Sequence, residues 1–156
     1  PLVNQSVDRV EALLNKMFAD STYGDSVAVK ELTPSLNKLA HLGLVLGVAT
    51  MDSEAGIKAT LSDFGCLHLF DYAVGYDSGF GSKPGPGMVL GFCQHTGLKP
   101  EEVMVVGDNT HDLHMGQSAG AGFNVGVLTG TSTRSELITD ADLVLDSIAD
   151  LRALWA

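Results

Sequence analysis

The sequence predicts an α/β protein built on a Rossmann-like parallel sheet with flanking helices. From residue 44 onward, short apolar runs alternate with segments of helical spacing. Apolar runs of this length, bounded by turn residues, are typical of strands buried on both faces. Strands that alternate with helices favour parallel pairing through right-handed crossovers. The 156 residues, 45% of them hydrophobic, suit a single core of this kind.

The individual elements follow from the positions of these runs. Five strands are predicted at residues 44–49, 71–74, 103–106, 123–128 and 143–145. Helices are predicted at residues 53–64, 88–96, 111–121, 132–137 and 147–155. Ser53 is a favourable first residue for one of these helices, and Gly97 is a favourable end for another.

The segment before residue 44 does not alternate between strand and helix. Apolar residues at helical spacing predict helices at residues 7–18 and 27–42, with Pro34 near the start of the better-patterned half of the second. These helices are expected to form a separate piece on the N-terminal side of the sheet.

The charge balance narrows the classes of partner. Nineteen acidic residues outweigh nine basic ones, and no basic cluster occurs. Nucleic acid and anionic membrane surfaces are therefore not expected partners. A small anionic substrate would need a cation, a lysine or backbone N–H groups to bind. The longest apolar run, residues 42–49, is too short to span a bilayer. The two cysteines lack metal-ligand spacing and predict free thiols in a reducing cytoplasm.

Two carboxylates follow the predicted strand at residues 103–106, in the sequence VMVVGDNTHD. Asp108 and Asp112 lie where the next helix begins. Because open α/β sheets place ligands at the carboxyl ends of their strands, this pair predicts a site for a hard cation such as Mg²⁺. The alternative is that both acids only stabilise the N-terminus of the helix.

Two further strand ends carry candidate phosphate-binding groups. Thr50 and the backbone N–H of Met51 follow the first predicted strand and can hold a phosphate oxygen. Alternatively, Thr50 only caps the next helix. Lys83, in a glycine-rich loop, is the sole cation between Lys58 and Lys99, and its alternative is a solvated side chain. The loop is not a nucleotide-binding P-loop, because Ser82 precedes Lys83 where that motif needs glycine.

The order and spacing of these features resemble the haloacid dehalogenase superfamily, most of all its phosphoglycolate phosphatase and β-phosphoglucomutase branch. GVAT at residues 47–50 resembles the second motif of the family, and Lys83-Pro84 resembles the third. VVGDNTHD at residues 105–112 resembles the fourth. Each motif is weak alone, and their combination is specific.

The resemblance implies a role for each of these residues. Thr50 and the N–H of Met51 would bind the phosphoryl group. Lys83 would neutralise the negative charge on the phosphate and on the nucleophile. Asp108 would ligate Mg²⁺, and Asp112 would complete or orient the ligand shell. The family also has a helical cap, so the resemblance predicts a partial cap at residues 1–26 and an α/β core at residues 27–156.

One family motif is missing from its place. The nucleophile of the family is the first Asp of an Asp-x-Asp motif after an N-terminal strand, and no such motif occurs here before residues 140–142. The resemblance therefore implies that the chain lacks its nucleophile, one metal ligand and the central strand of the sheet. A missing N-terminal fragment or a strand-exchanged second chain is the expected means of filling that gap.

The sequence thus predicts a cytoplasmic, Mg²⁺-dependent phosphatase that acts on a small phosphorylated metabolite such as phosphoglycolate. Without the nucleophilic Asp, the chain alone is expected to be inactive. The alternative is a non-catalytic scaffold or interaction module with the same fold. A receiver domain is less consistent, because its acidic pair near the first strand is absent and Lys83 precedes the Asp108 strand instead of lying near the last strands.

Overall fold

A computed structural model describes residues 11–14 and 28–155 of the chain. The strands are β1 Glu11–Leu14, β2 Leu46–Ala49, β3 Tyr72–Val74, β4 Val103–Gly107, β5 Phe123–Val127 and β6 Leu143–Leu145. They form one sheet in the order β3-β2-β1-β4-β5-β6, and every neighbouring pair is parallel. The predicted fold class is confirmed.

The helices lie between the strands, as the alternation predicts. They are α1 Leu32–His41, α2 Glu54–Asp63, α3 Gly87–Thr96, α4 Thr110–Ala119 and α5 Arg134–Leu137. Short 3₁₀ segments cover Leu67–Leu69, Pro100–Glu102 and the C-terminal Ile148–Trp155. No helix in the described part of the chain is long and apolar enough to cross a membrane.

The helix ends have local causes. Ser53 caps α2, because its hydroxyl accepts the backbone N–H of Gly56 at 3.0 Å. Gly97 ends α3 with a φ of 82°, a conformation that glycine adopts without strain. The helix predicted at residues 27–42 is shorter than expected, since α1 begins only at Leu32.

The expected gap in the middle of the sheet is occupied by the chain itself, which corrects the prediction of a missing central strand. Ala12 lies opposite Leu46 on one side and Met104 on the other. The helix predicted at residues 7–18 is thus wrong for residues 11–14, and the rest of that prediction lies outside the described residues. The physical reason is that a strand at this position pairs with the backbone groups along the facing edges of β2 and β4. A helix there would leave those groups without hydrogen bonds.

The sheet separates two apolar layers. Along β4, Met104 and Val106 pack into one layer, and Val103 and Val105 pack into the other. This alternation is the two-residue period of a strand. The first layer includes buried residues of α1, α2 and the C-terminal segment, and the second includes those of α3 and α4. With both faces covered, the carboxyl edge of the sheet is left as the place for a site.

Phe92 on α3 tests the second apolar layer. Its side chain is fully buried and meets the Tyr72 ring edge-on, with centroids 5.6 Å apart. Phe92→Ala is expected to lower the free energy of unfolding by about 3–5 kcal/mol, measured by urea denaturation. Leu90→Ala on the exposed face of the same helix is the matched control and should cost about 0.5 kcal/mol or less. Equal losses for the two variants would contradict this packing.

Candidate functional site

Thr50 directly follows β2 and is 4% exposed. Its hydroxyl accepts the backbone N–H of Asp52 at 3.1 Å, and its own N–H donates to the carbonyl of Val74 at 3.0 Å. The first bond closes a local turn of the kind that serine and threonine favour. Because Ser53 is the residue that caps α2, the alternative in which Thr50 is the helix cap is wrong. Met51 is half exposed at the same turn.

Lys83 is buried and reaches back to two other strand ends. Its Nζ donates to the carbonyl oxygen of Ala49, the last residue of β2, at 3.0 Å. The same atom lies 3.2 Å from Oδ1 of Asp112, and the two side chains are only 5% and 4% exposed. The alternative of a solvated loop lysine is therefore wrong. The ammonium group is thus held in place by a carbonyl and by a carboxylate whose negative charge it balances.

Asp112 serves two purposes at once. Its Oδ2 accepts the backbone N–H of Asn109 at 3.1 Å, while Asn109 caps α4 by accepting the N–H of His111 at 3.0 Å. This reciprocal arrangement is a capping box. The alternative in which Asp112 stabilises the N-terminus of the helix is thus correct for its Oδ2 atom, whereas its Oδ1 atom contacts Lys83. The cap of α4 is Asn109 and not Asp108.

Asp108 lies one residue beyond β4 and is 3% exposed. Gly130, in the loop after β5, lies so close to it that an added methyl group would overlap the carboxylate. The backbone N–H of Ser132 donates to the carbonyl of Asp108 at 3.4 Å. Gly130 was not predicted from the sequence. The only indication of a role there is that a glycine stands within a hydroxyl-rich loop between a strand and a helix.

The direct contacts join two of the predicted residues, Lys83 and Asp112, to the end of the strand that Thr50 follows. The ammonium group of Lys83 binds both the last carbonyl of β2, beside Thr50, and the carboxylate of Asp112. Asp108 follows β4, which β1 separates from β2, and Gly130 in the loop after β5 lies against it. Within the described residues no cluster of three or more His, Cys, Asp or Glu is arranged to hold a metal. The arrangement can offer a cation two carboxylates and offer a phosphate an ammonium group, a hydroxyl and backbone N–H groups.

The cysteines stand apart from this chemistry. Cys66 and Cys93 are both buried cysteine thiols, as predicted. Burial raises the pKa of the Cys66 thiol. Since the thiolate is the reactive form, a raised pKa keeps this group unreactive at neutral pH.

The fold is that of a hydrolase family. The sequence profile of the haloacid dehalogenase-like hydrolases matches residues 4–125, and the chain belongs to that family. This confirms the resemblance seen in the motifs.

Its relatives include several phosphoglycolate phosphatases. That of Salmonella typhimurium is 26% identical over 97% of this chain and 62% of its own length. That of Pasteurella multocida is 29% identical over 92% of this chain and 66% of its own. The crystal structure of a predicted phosphoglycolate phosphatase from Haemophilus somnus superposes with a TM-score of 0.78 at 26% identity, covering 85% of this chain and 59% of that one. The chain thus spans less than two thirds of the length of these relatives.

Lys83→Met tests the buried ion pair. Removing the ammonium group leaves the Asp112 carboxylate buried beside an apolar side chain, so the free energy of unfolding should fall by about 3 kcal/mol. Lys58→Met is the matched control, because the Lys58–Glu54 pair is 47% and 39% exposed and should contribute about 1 kcal/mol or less. Urea denaturation of both variants gives the comparison. A loss for Lys83→Met no larger than that for Lys58→Met would contradict the buried pair.

Proposed function

We propose that this chain forms the phosphoryl-binding and magnesium-binding site of a phosphatase that acts on a small phosphorylated metabolite such as phosphoglycolate. The observation that carries the proposal is the buried ammonium of Lys83, held between the carbonyl of Ala49 and the carboxylate of Asp112. The names of the relatives support the same reaction class. Phosphoryl transfer depends mostly on positioning and charge neutralisation, and this edge of the sheet is suited to both.

The phosphoryl group is assigned to the turn after β2. Thr50 supplies a hydroxyl and Met51 a backbone N–H, and both follow the strand whose last carbonyl binds Lys83. An ammonium group at this position would offset the negative charge of the phosphate. The low exposure of Lys83 strengthens that effect, because the local dielectric constant is lower than in water.

The donor groups fit Mg²⁺, which proteins commonly bind through one or two carboxylates with water and substrate phosphate as the other ligands. Asp108 is the proposed direct ligand. Asp112 already accepts from Lys83 and from the N–H of Asn109, so its proposed role is to complete or orient the ligand shell. When bound, the ion supplies charge neutralisation and orients the phosphate.

The nucleophile is the part that the sequence does not supply. The residue that follows β1 in the sequence is Asn15, and no Asp-x-Asp motif precedes β2. An amide cannot replace a carboxylate as the nucleophile of a covalent phosphoryl transfer. We therefore expect this chain alone to bind phosphate and magnesium without turnover. The same missing motif favours the second candidate, a non-catalytic scaffold that binds neither ion.

Titration calorimetry separates these two functions. The chain is expected to bind inorganic phosphate in the presence of Mg²⁺, with no hydrolysis of phosphoglycolate. Asp108→Asn should weaken Mg²⁺ binding by about tenfold or more, because it removes the charge of the proposed ligand. Asp150→Asn, in the remote C-terminal segment, is the control and should bind as the unaltered chain does.

Two results would count against the proposal. If neither ion binds, the scaffold function is the correct one. Hydrolysis of phosphoglycolate by the single chain, abolished by Asp108→Asn, would overturn the expectation of no turnover while supporting the site.

Gly130 provides an independent test of the assignment of Asp108. Gly130→Ala places a methyl group against the Asp108 carboxylate and should weaken the binding of Mg²⁺ by about tenfold, since the groups that orient a ligand contribute to metal affinity. Gly126→Ala on β5 is the matched control, because the methyl group there would contact the Leu137 side chain, at 3.1 Å, and not Asp108. Calorimetry with Mg²⁺ alone measures both, and unchanged affinity in Gly130→Ala would argue against Asp108 as the ligand.

A further inference from the structure

Two loops meet beside the proposed phosphate site. The first, residues 50–53, connects β2 to α2 and carries Thr50 and Met51. The second, residues 75–86, connects β3 to α3 and carries Lys83. The N–H of Tyr76 donates to the carbonyl of Asp52 at 3.0 Å, so the two loops are bonded through their backbones.

The contact between the loops leaves no space for a side chain at Gly75. A Cβ atom there would overlap the carbonyl oxygen of Asp52 and the backbone nitrogen of Glu54. That same nitrogen donates to Oδ1 of Asp77 at 2.8 Å. The second loop therefore also caps the first turn of α2, and each loop completes the hydrogen bonding of the other.

Glu54 adds a side-chain connection across the same contact. Its Oε2 accepts the hydroxyl hydrogen of Ser78 at 2.6 Å, and the Ser78 oxygen accepts the N–H of Gly75 at 2.9 Å. Its Oε1 accepts from Lys58 at 2.6 Å. The bonds from Lys58 and then Ser78 lower the pKa of the Glu54 carboxyl, so the group is charged at neutral pH.

We propose that Glu54 is a positioning residue for phosphate binding, which holds the loop of Lys83 against the loop of Thr50 through Ser78. This inference rests on the proposed function. A phosphate must fit between the Thr50 turn and the Lys83 ammonium, and the separation of these groups depends on how the two loops sit together. Small errors in the placement of binding groups cost affinity even when every group is present.

The charge of Glu54 makes the proposal distinguishable from simple electrostatics. A carboxylate near an anion site repels the anion, so Coulomb interaction alone predicts that its removal strengthens phosphate binding. The positioning role predicts the opposite for Glu54→Ala, because the bond to Ser78 is lost. Glu54→Gln removes the charge and retains an oxygen that can accept the Ser78 hydroxyl hydrogen.

The test is calorimetry with inorganic phosphate in the presence of Mg²⁺, and with Mg²⁺ alone. Glu54→Ala is expected to weaken phosphate binding by about tenfold, and Glu54→Gln to bind about as well as the unaltered chain. Binding of Mg²⁺ alone should stay the same in both, since the proposed direct ligand, Asp108, follows β4 and lies on neither of these two loops. Ser78→Ala should reproduce Glu54→Ala, and the double variant should be no weaker than either single one.

Two controls isolate the contact. Lys58→Gln removes the exposed ion pair and leaves the Ser78 bond, so phosphate affinity should be unchanged. Glu102→Ala removes a similar carboxylate, which accepts the N–H of Lys99 at 2.8 Å at the opposite end of β4. Its phosphate affinity should also be unchanged.

Each outcome bears on the proposal. Phosphate binding that is equal or stronger in Glu54→Ala overturns the positioning role and leaves the proposed function intact. A parallel loss of Mg²⁺ binding and thermal stability shows a merely structural role and also overturns it. A Glu54→Gln variant as weak as Glu54→Ala overturns the hydrogen-bond basis. If the unaltered chain binds no phosphate, the proposed function fails and this inference fails with it.

Discussion

The buried ammonium group of Lys83 is the interaction on which the rest of the site depends. It lies within 3.2 Å of both the last carbonyl of β2 and the carboxylate of Asp112, which lies in α4, the helix that follows β4. Desolvating a lysine is costly unless such partners compensate it. The loop of Lys83 must therefore fold back over the carboxyl edge of the sheet. The contacts that hold this loop in position therefore also hold the residues of the candidate site in position.

Most of the sheet could be predicted from the sequence because its strands are continuous apolar runs that end in turn residues. The exception is β1. Its four residues satisfy a helical pattern equally well, and a short apolar segment carries no periodic signal that separates helix from strand. What favours the strand is the pairing with β2 on one side and β4 on the other, and these partners lie far away in the sequence.

The candidate residues could be named from the sequence, whereas the contacts among them could not. Each candidate residue lies in the segment that follows a strand, and parallel pairing brings the ends of these strands to one edge of the sheet. The residues are Thr50, Lys83, Asp108 and Asp112. Asp112 accepts the N–H of the cap residue Asn109 and also contacts Lys83. This double role depends on side-chain geometry, which the spacing of residues in the sequence does not indicate. The approach of Gly130 to Asp108 brings together loops that follow two different strands, and a glycine in a hydroxyl-rich loop does not by itself indicate that contact.

The position of β1 also means that the sheet consists of two parts that do not bond to each other. Among the described strands, β2 and β3 form one part and β4, β5 and β6 form the other, and β1 alone pairs with both. Thr50 ends a strand of the first part, and Asp108 follows one of the second. The distance between the Thr50 turn and Asp108 at this edge is therefore set by β1, the single strand that lies between β2 and β4.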